Sequence, residues 1–156
     1  MNKKPVIFLM IFAIIIILSF LVIKYYMETS AISKLQLTIK GVQIQEIKVT
    51  YTKLKLNIAL LNPTDEVLSQ FLTEYNIIIA GNIVGVGNIT LSDIPARTNK
   101  ETNTTITIYF SDVAIAVLDA IKNQNFNLTI QGTLHIKVLF DLLSISQDFS
   151  STFSYS

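Results

Sequence analysis

The stretch that decides the fold is Lys53–Asp65, which reads Lys-Leu-Lys-Leu-Asn-Ile-Ala-Leu-Leu-Asn-Pro-Thr-Asp. Large aliphatic side chains alternate with polar or small ones, and this period of two predicts a half-buried β-strand. Its buried face should hold Leu54, Leu56, Ile58 and Leu60. The strand is expected to end at Asn62-Pro63, because proline lacks the N–H of a central strand and asparagine holds turns through its side chain. We therefore predict that Asn62 and Pro63 form a structural turn and not a binding site.

The sequence after residue 34 repeats this alternation at short intervals. Apolar and polar residues alternate within 35–40, 44–51, 75–79, 83–88, 102–110, 126–138 and 145–155. Only residues 111–123 change to a helical spacing of apolar side chains. About seven strands with turns at short intervals and one short helix predict an all-β fold, a β-sandwich.

Several local signals predict how these elements begin, end and turn. Ser111 or Asp112 is placed to cap the start of the short helix. Gly81-Asn82 predicts a tight turn, because this pair readily adopts the positive φ that hairpins need. Gly85 and Gly87 predict a bulge or a close approach of the backbone within a strand.

Residues 5–23 form an uncharged apolar segment that precedes the predicted β-domain. Its nineteen residues span roughly 28 Å at about 1.5 Å each, close to the ~30 Å hydrocarbon core of a bilayer. Tyr25-Tyr26 follows, as expected at a membrane interface. We predict one transmembrane helix at 5–23, with the lipid bilayer as its partner, followed by a polar stalk at 24–33.

The flanking charges predict the orientation of this helix. Lys3 and Lys4, together with the amino terminus, outweigh Lys24. Residues 1–4 should therefore be cytoplasmic, and the domain at 34–156 should be extracellular at the cell membrane.

Two other interpretations of the apolar segment are less favoured. A cleaved signal peptide would have a shorter apolar run with small residues soon after it, whereas Thr29-Ser30-Ala31 lies far downstream. A pilin-like amino terminus would carry a glutamate early in the helix, but the first acidic residue is Glu28. A retained signal anchor fits best. The segment has no pattern of small residues for helix pairing, so no oligomeric state is predicted.

Composition argues against several classes of function. The 156 residues include no cysteine, so neither a disulfide framework nor a thiolate metal site is expected. Beyond residue 28 there are nine basic and ten acidic residues, which predicts no nucleic acid partner. The single histidine, His135, lies on an outward strand face, so neither a catalytic triad nor a histidine metal cluster is expected. We predict no catalytic, cofactor-binding or metal-binding residues, and therefore no enzyme.

Three sequons for N-glycosylation occur, at Asn88, Asn103 and Asn127. Asn62 is followed by proline and is excluded. Asn103 and Asn127 fall at predicted loop or outward positions, as an exposed domain requires. We predict all three as candidate N-glycosylation sites.

A series of short motifs resembles the type-2 late-embryogenesis-abundant (LEA) proteins, also called the WHy (water stress and hypersensitive response) domain. The motifs, in order, are Asn62-Pro63-Thr64, Tyr75–Gly81, Ile94-Pro95-Ala96, the Thr-Ile-Thr-Ile strand at 105–108, the short helix, and Leu128–Gly132. The resemblance spans roughly residues 35–155 and departs at Thr64, where the family often has a second asparagine. It implies an immunoglobulin/fibronectin-III-like sandwich with one helix, membrane-anchored members, links to desiccation or other stress, and no catalytic residues.

Three functions remain open on this basis. The first is a membrane-anchored envelope protein of the stress-protective type. The second is an adhesion or assembly module that binds a protein partner in the cell envelope through edge strands and end loops. The third is a lipid-binding domain close to the membrane, in which the short helix covers one end of the sandwich only loosely.

Overall fold

The computed structural model describes residues 3–156, with side chains from Val6 onward. Of the predicted cytoplasmic residues 1–4, the first two lie outside the described residues. The elements in chain order are α1 (Lys3–Ile32), β1 (Gln36–Ile47), β2 (Tyr51–Asn62), β3 (Leu68–Ile79), β4 (Asn82–Ile94), β5 (Thr98–Tyr109), α2 (Ile115–Lys122), β6 (Phe126–Val138) and β7 (Leu143–Tyr155). The predicted order of one apolar helix and then a β-domain with one short helix is confirmed.

The strands form two antiparallel sheets, with strand orders β1-β2-β5 and β4-β3-β6-β7. Side chains from both sheets fill a common core, among them Leu54, Leu56 and Ile58 from the first and Phe71, Ile77 and Ile130 from the second, each at most 1% exposed. Fully burying a large aliphatic side chain contributes about 1.5–3 kcal/mol, so this layer is the main source of stability. The arrangement is a β-sandwich of the immunoglobulin-like kind, as predicted.

Strand β2 is the centre of the three-stranded sheet and ends at Asn62, as its sequence predicts. The four aliphatic side chains expected in the core are buried. Ala59, expected on the outward face, is buried as well. It pairs with Thr38 of β1 and Glu101 of β5 in the centre of the sheet, and a single methyl group flanked by longer side chains exposes little surface.

Strand β1 and the β3–β4 turn differ from expectation in detail. The alternation indicates two separate segments, 35–40 and 44–51, but β1 runs without a break from Gln36 to Ile47 and accommodates register shifts between Ile39 and Gly41 and between Ile44 and Glu46. The tight turn is formed by Ala80 (φ 50°) and Gly81 (φ 76°), one residue earlier than predicted. Asn82 is the first residue of β4, and its Nδ2 donates to the Ala80 carbonyl at 2.8 Å.

The two strand glycines behave as their positions predict. Gly85 pairs with Ile77 beside a register shift between β3 and β4, which is a bulge. Gly87 lies against the ring of Tyr75, and a Cβ added there would approach the ring to 2.4 Å. The close contact explains why this position has no side chain.

The short helix begins later than its sequence predicts. Its N-cap is Ala114, which makes no side-chain capping bond. Ser111 bonds to Asp112 instead, so neither caps the helix. Val117 and Ile121 of α2 are fully buried. Apolar burial, and not capping, therefore holds this helix in place.

The two ends of the sandwich carry different elements. The α1 end comprises the connections 33–35, 63–67, 95–97 and 139–142, since the adjoining strand ends pair with one another. The α2 end comprises the connections 48–50, 80–81 and 110–125. At about 3.3 Å per residue, a strand of 13 residues separates the two ends by roughly 40 Å.

Helix α1 runs unbroken from Lys3 to Ile32. The predicted polar stalk at 24–33 is wrong, because the helix continues to Ile32 and its last residues pack against the sandwich. Ala31 and Ile32 are 2% and 1% exposed. Val6–Ile32 is long and apolar enough to cross a membrane, although a signal sequence shares these properties. None of its most apolar part is buried against the sandwich.

One pair of sheet edges is joined between β1 and β7. The backbone N–H of Ile39 donates to Ser151 Oγ at 3.1 Å. This bond links the three-stranded sheet to the four-stranded sheet along one side of the sandwich.

Candidate functional site

The junction between α1 and the sandwich is built around Glu28. This carboxylate is 6% exposed. Its Oε1 lies 2.9 Å from Lys24 Nζ, one helical turn earlier, and its Oε2 accepts the backbone N–H of Leu139 at 2.7 Å. Hydrogen bonds to a charged group are stronger than neutral ones and directional. Glu28 therefore ties the helix to the β6–β7 connection.

The β6–β7 loop, residues 139–142, has an unusual backbone. Leu139, Phe140 and Asp141 all have positive φ, at 51°, 57° and 67°. This region costs about 1–2 kcal/mol for each residue other than glycine. The N–H of Leu142 donates to the Leu139 carbonyl at 3.2 Å and closes the turn.

Hydrogen bonds to β3 hold the β6–β7 loop in place, whereas the side chains at its tip are apolar. Asp141 accepts from Ser69 Oγ at 2.9 Å and from Gln70 Nε2 at 3.1 Å, both at the start of β3. The side chains of Phe140 and Leu142 are 65% and 76% exposed. The Phe140 ring centre lies 5.1 Å from Lys24 Nζ.

The predicted turn at Asn62 joins two loops of the α1 end. Asn62 is fully buried, and its Oδ1 accepts the N–H of Thr64 at 3.1 Å, the bond two residues on that its type favours. Its Nδ2 donates to the carbonyls of Glu66 at 2.8 Å and Pro95 at 3.0 Å. Pro63 itself is exposed. The amide thus holds the β2–β3 loop against the β4–β5 loop.

An exposed ion pair joins the same two loops at the surface. Nε and Nη2 of Arg97 both donate to the carboxylate of Asp65, and the distance from Nη2 to Oδ2 is 3.1 Å. The N–H of Arg97 also donates to the Thr64 carbonyl at 2.9 Å. The hydrogen bond and charge of Arg97 lower the pKa of Asp65.

The three sequon asparagines lie on different strands. Asn88 is on β4, Asn103 on β5 and Asn127 on β6, and all three are exposed. The Oδ1 of Asn127 accepts from Ser154 Oγ at 2.8 Å, so its side chain is engaged with β7. Glycosylation at these positions stays a prediction.

A ladder of polar pairs covers the outer face of β6 and β7. We call these pairs the polar ladder: Asn127–Ser154, Thr129–Thr152, Thr133–Asp148 and His135–Ser146, each joined by a side-chain hydrogen bond of 2.8 Å. His135 is therefore on the outward face, as predicted, and is bonded to a serine. These exposed polar groups find partners within the protein.

A shallow depression of about 720 Å³ lies beside the polar ladder, on the outer face of the four-stranded sheet. Its lining residues include Gly87 and Gly132, which pair with Tyr75 on either side. A Cβ on Gly132 would lie 2.1 Å from the Glu74 carbonyl oxygen. The Tyr75 hydroxyl is near Thr104 but has no hydrogen bond of normal geometry, and burial raises its pKa. Tyr75 is therefore packed between two positions that have no room for a side chain.

The part of the chain that the structure describes contains no cluster of side chains suited to binding a metal ion. Within residues 3–156, no group of three or more His, Asp or Glu side chains is arranged to hold an ion. At the α1 end, the carboxylates of Glu28, Asp65 and Asp141 are instead paired with Lys24, Arg97 and Ser69, respectively.

Sequence reasoning missed Glu28 and Phe140, the two residues that define the α1 junction. Glu28 was assigned to the stalk, and the segment containing Phe140 carried no prediction. Two signals were present in the sequence. Glu28 follows Lys24 by one helical turn, and the run Leu139–Leu143 breaks the alternation of β6 with consecutive large side chains.

Comparisons with known proteins support the fold. No family model matches the chain, and no curated protein matches it by sequence. The solution structure of a protein from Arabidopsis thaliana is similar, with a TM-score of 0.57 and 14% identity over 74% of this chain and 77% of that chain. The solution structure of a protein provisionally designated late embryogenesis abundant has a TM-score of 0.50 and 10% identity, over 98% of this chain and 88% of that chain. At these identities, the likeness shows a shared sandwich fold and leaves activity open.

Proposed function

We propose that this chain is a single-pass, membrane-anchored β-sandwich protein of the type-2 LEA class that protects the cell envelope under water stress. The observation that carries the proposal is that apolar helix α1 runs unbroken into the sandwich and is fixed to it through Glu28. The fold shared with a LEA protein and the ordered LEA-type motifs support the class. The proposed role is binding and protection, without catalysis.

The polar ladder supports a role when water is scarce. Exposed hydroxyl and amide groups normally exchange hydrogen bonds with water, and they lose those partners on drying. In the ladder, Thr129 bonds to Thr152 and Thr133 to Asp148 within the protein. A buried or dehydrated polar group is costly only when it lacks a partner. The outer face of β6 and β7 would therefore keep its hydrogen bonds as water is withdrawn.

The orientation is proposed from the charges that flank α1. More cationic groups precede the apolar segment than follow it, which favours a cytoplasmic amino terminus and an extracellular sandwich. Protease added to intact cells should remove the domain and leave a small membrane-bound stub. Full protection of the domain would contradict this orientation and remove the basis for glycosylation at Asn88, Asn103 and Asn127.

The protective role is tested by survival of a deletion strain. We expect the strain to survive drying and osmotic shock less well than its parent, and the full chain to restore survival. A second complementing chain carries Thr133→Val and Thr152→Val, which remove two rungs of the polar ladder. It should anchor normally but restore survival only in part. Equal survival of the deletion strain and its parent would contradict a protective function.

A second function, an assembly module, is favoured by the exposed edge of β4. This strand ends one side of the four-stranded sheet, and Ile83 and Val86 on it are 60% and 75% exposed. An exposed edge with apolar side chains can accept a strand from a protein partner. Affinity capture from solubilised membranes should then return a partner that the variant Val86→Lys does not retain. Capture of this chain alone would argue against the assembly function.

The lipid-binding alternative loses its geometric basis. It placed an apolar opening beneath the short helix and near the membrane. However, α2 lies at the end of the sandwich opposite to α1, roughly 40 Å away along a strand of 13 residues. Val117 and Ile121 also close that end by packing into the core.

A further inference from the structure

We propose, on the basis of the membrane anchorage proposed for α1, that the β6–β7 loop docks on the bilayer surface and inserts Phe140 and Leu142 among the lipid headgroups. The sandwich would then touch the membrane at two points, the helix and this loop. The occupant of the exposed apolar tip is the lipid bilayer itself.

The depth of the loop relative to the helix carries the proposal. Lys24 is the first charged residue after the apolar segment 5–23, and a lysine at the end of such a segment lies at the membrane interface. The Phe140 ring is 5.1 Å from the ammonium group of Lys24. If α1 spans a bilayer, Phe140 must therefore lie at the level of the interface.

The chemistry of the loop fits that level. Its polar groups face the protein, since the N–H of Leu139 donates to Glu28 and Asp141 accepts from β3. Phe140, Leu142 and Leu143 remain 65%, 76% and 49% exposed. Apolar side chains without unpaired charges suit the boundary between headgroups and acyl chains.

Neighbouring aromatic residues and backbone strain point the same way. Tyr25 and Tyr26, on the turn that contains Lys24, are 41% and 74% exposed, and tyrosine is enriched at membrane interfaces. The loop uses leucine, phenylalanine and aspartate at three positive-φ positions where glycine or asparagine would be less strained. The strained backbone projects large apolar side chains beside the helix.

The absence of cysteine from the sequence allows a direct test by single-site labelling. Leu142→Cys reports on the loop, Ile15→Cys on the middle of α1, and Val49→Cys on the α2 end, where Val49 is 95% exposed. Each full-length variant is labelled with an environment-sensitive fluorophore and reconstituted in vesicles of phosphatidylcholine and phosphatidylglycerol. Lipids with nitroxide groups at the headgroup or deep in the acyl chain then quench labels at the matching depth.

We expect headgroup nitroxides to quench the Leu142 label several times more strongly than the Val49 label, with blue-shifted emission. Adding Phe140→Ala should weaken this quenching without changing the unfolding temperature.

If the Leu142 label behaves like the Val49 label while deep nitroxides quench the Ile15 label, docking of the loop is refuted and the membrane anchor stands. If the Ile15 label is not quenched either, both proposals fail. A blue-shifted but unquenched Leu142 label would mean that protein, such as a second copy, covers the loop, and would also refute docking on lipid.

Discussion

At the α2 end of the sandwich, apolar contact closes the core. Helix α2 has no side-chain cap, and its residues Val117 and Ile121 are fully buried. At the α1 end, Ala31 and Ile32 are buried too, but this end also contains two buried polar groups, the amide of Asn62 and the carboxylate of Glu28, each with more than one bonded partner. Apolar burial is non-directional and depends mainly on area, whereas hydrogen bonds fix distances and angles. The difference indicates that the α2 end is held by apolar burial alone, whereas the buried polar groups of the α1 end add a fixed orientation.

The largest effect is expected at the α2 end, from Ile121→Ala. Removing a fully buried isoleucine side chain leaves a cavity and should lower the free energy of unfolding by about 3 kcal/mol. Denaturant unfolding of the full-length protein in detergent micelles would measure it. Ile115→Ala, in the same helix at a position 75% exposed, is the matched control and should change stability little. Equal effects of the two substitutions would mean that α2 does not close the core.

At the α1 end, Asn62→Ala tests the contribution of polar burial. The substitution removes bonds in two loops and leaves the carbonyls of Glu66 and Pro95 without that donor. We expect a loss of about 2 kcal/mol, twice that of a single hydrogen bond. Asn82→Ala, which removes one bond in the exposed turn of the α2 end, is the control and should cost less than about 1 kcal/mol.

The same variant decides whether the Asn62-Pro63 turn is structural. Folded Asn62→Ala protein should retain any partner affinity of the parent, because the side chain is buried and bonded within the domain. A variant as stable as the parent but deficient in function would show instead that the turn is a working surface.

Glu28→Ala should affect orientation more than stability. The substitution removes the charge-assisted bond from the N–H of Leu139 and the ion-pair partner of Lys24. We expect the contact between α1 and the β6–β7 loop to lose about 1.5 kcal/mol. Spin labels at Ile15→Cys and Val49→Cys should show a broader distance distribution, while denaturant unfolding of the sandwich changes little. Glu28→Gln keeps an acceptor for the N–H and should broaden the distribution less. An unchanged distribution in Glu28→Ala would mean that apolar contacts of Ala31 and Ile32 alone fix the helix.

The smallest effect on stability is expected from substituting two exposed acidic residues, Asp65 at the α1 end and Glu46 near the α2 end. Arg97 lowers the pKa of Asp65, and bonding to Lys48 is the main cause that lowers the pKa of Glu46 near the α2 end. A carboxyl whose pKa is lower in the folded state stabilises the fold above its ordinary pKa, 3.8 for Asp65 and 4.5 for Glu46. That stabilisation is lost as the pH falls through the folded pKa.

Asp65→Asn and Glu46→Gln should therefore each lower the unfolding temperature slightly at pH 7. Thermal scans at a pH well below both ordinary values should show no such difference, and high salt should reduce it at pH 7 because both groups are exposed. A difference that persists in acid would show that the two substitutions act through packing and not through charge.

The part of the fold that follows from local periodicity could be predicted from the sequence. Strand β6 runs over Phe126–Val138, the residues that its alternation indicates, and β2 ends at Asn62. The start of α2 was placed too early, because Ser111 is a good cap in isolation but bonds to its neighbour in the fold. Local propensity is a weak guide where tertiary packing supplies the energy.

The α1 end could not be predicted in the same way because its contacts join residues far apart in the chain. Glu28 meets Leu139, 111 positions away, and Asn62 meets Pro95, 33 positions away. From sequence alone, a charged residue near the end of an apolar helix is expected to be exposed, because the distant group that pairs with it is not evident. The positive φ of Leu139, Phe140 and Asp141 likewise has no sequence signal, since the loop contains neither glycine nor asparagine.

The bond from Ile39 to Ser151 bears on how copies of this protein meet at high concentration. A sheet edge with a free N–H is a template onto which another molecule can add a strand, and such addition leads to polymers. Here that donor is already engaged by a side chain of the same molecule, and the two register shifts of β1 bend the edge away from a flat template. Molecules confined to a plane and crowded together by water loss would collide often at these edges. At the β1 edge they would still have to break an internal contact before extending one another's sheets, which leaves the edge of β4 as the side where a strand of another molecule could add.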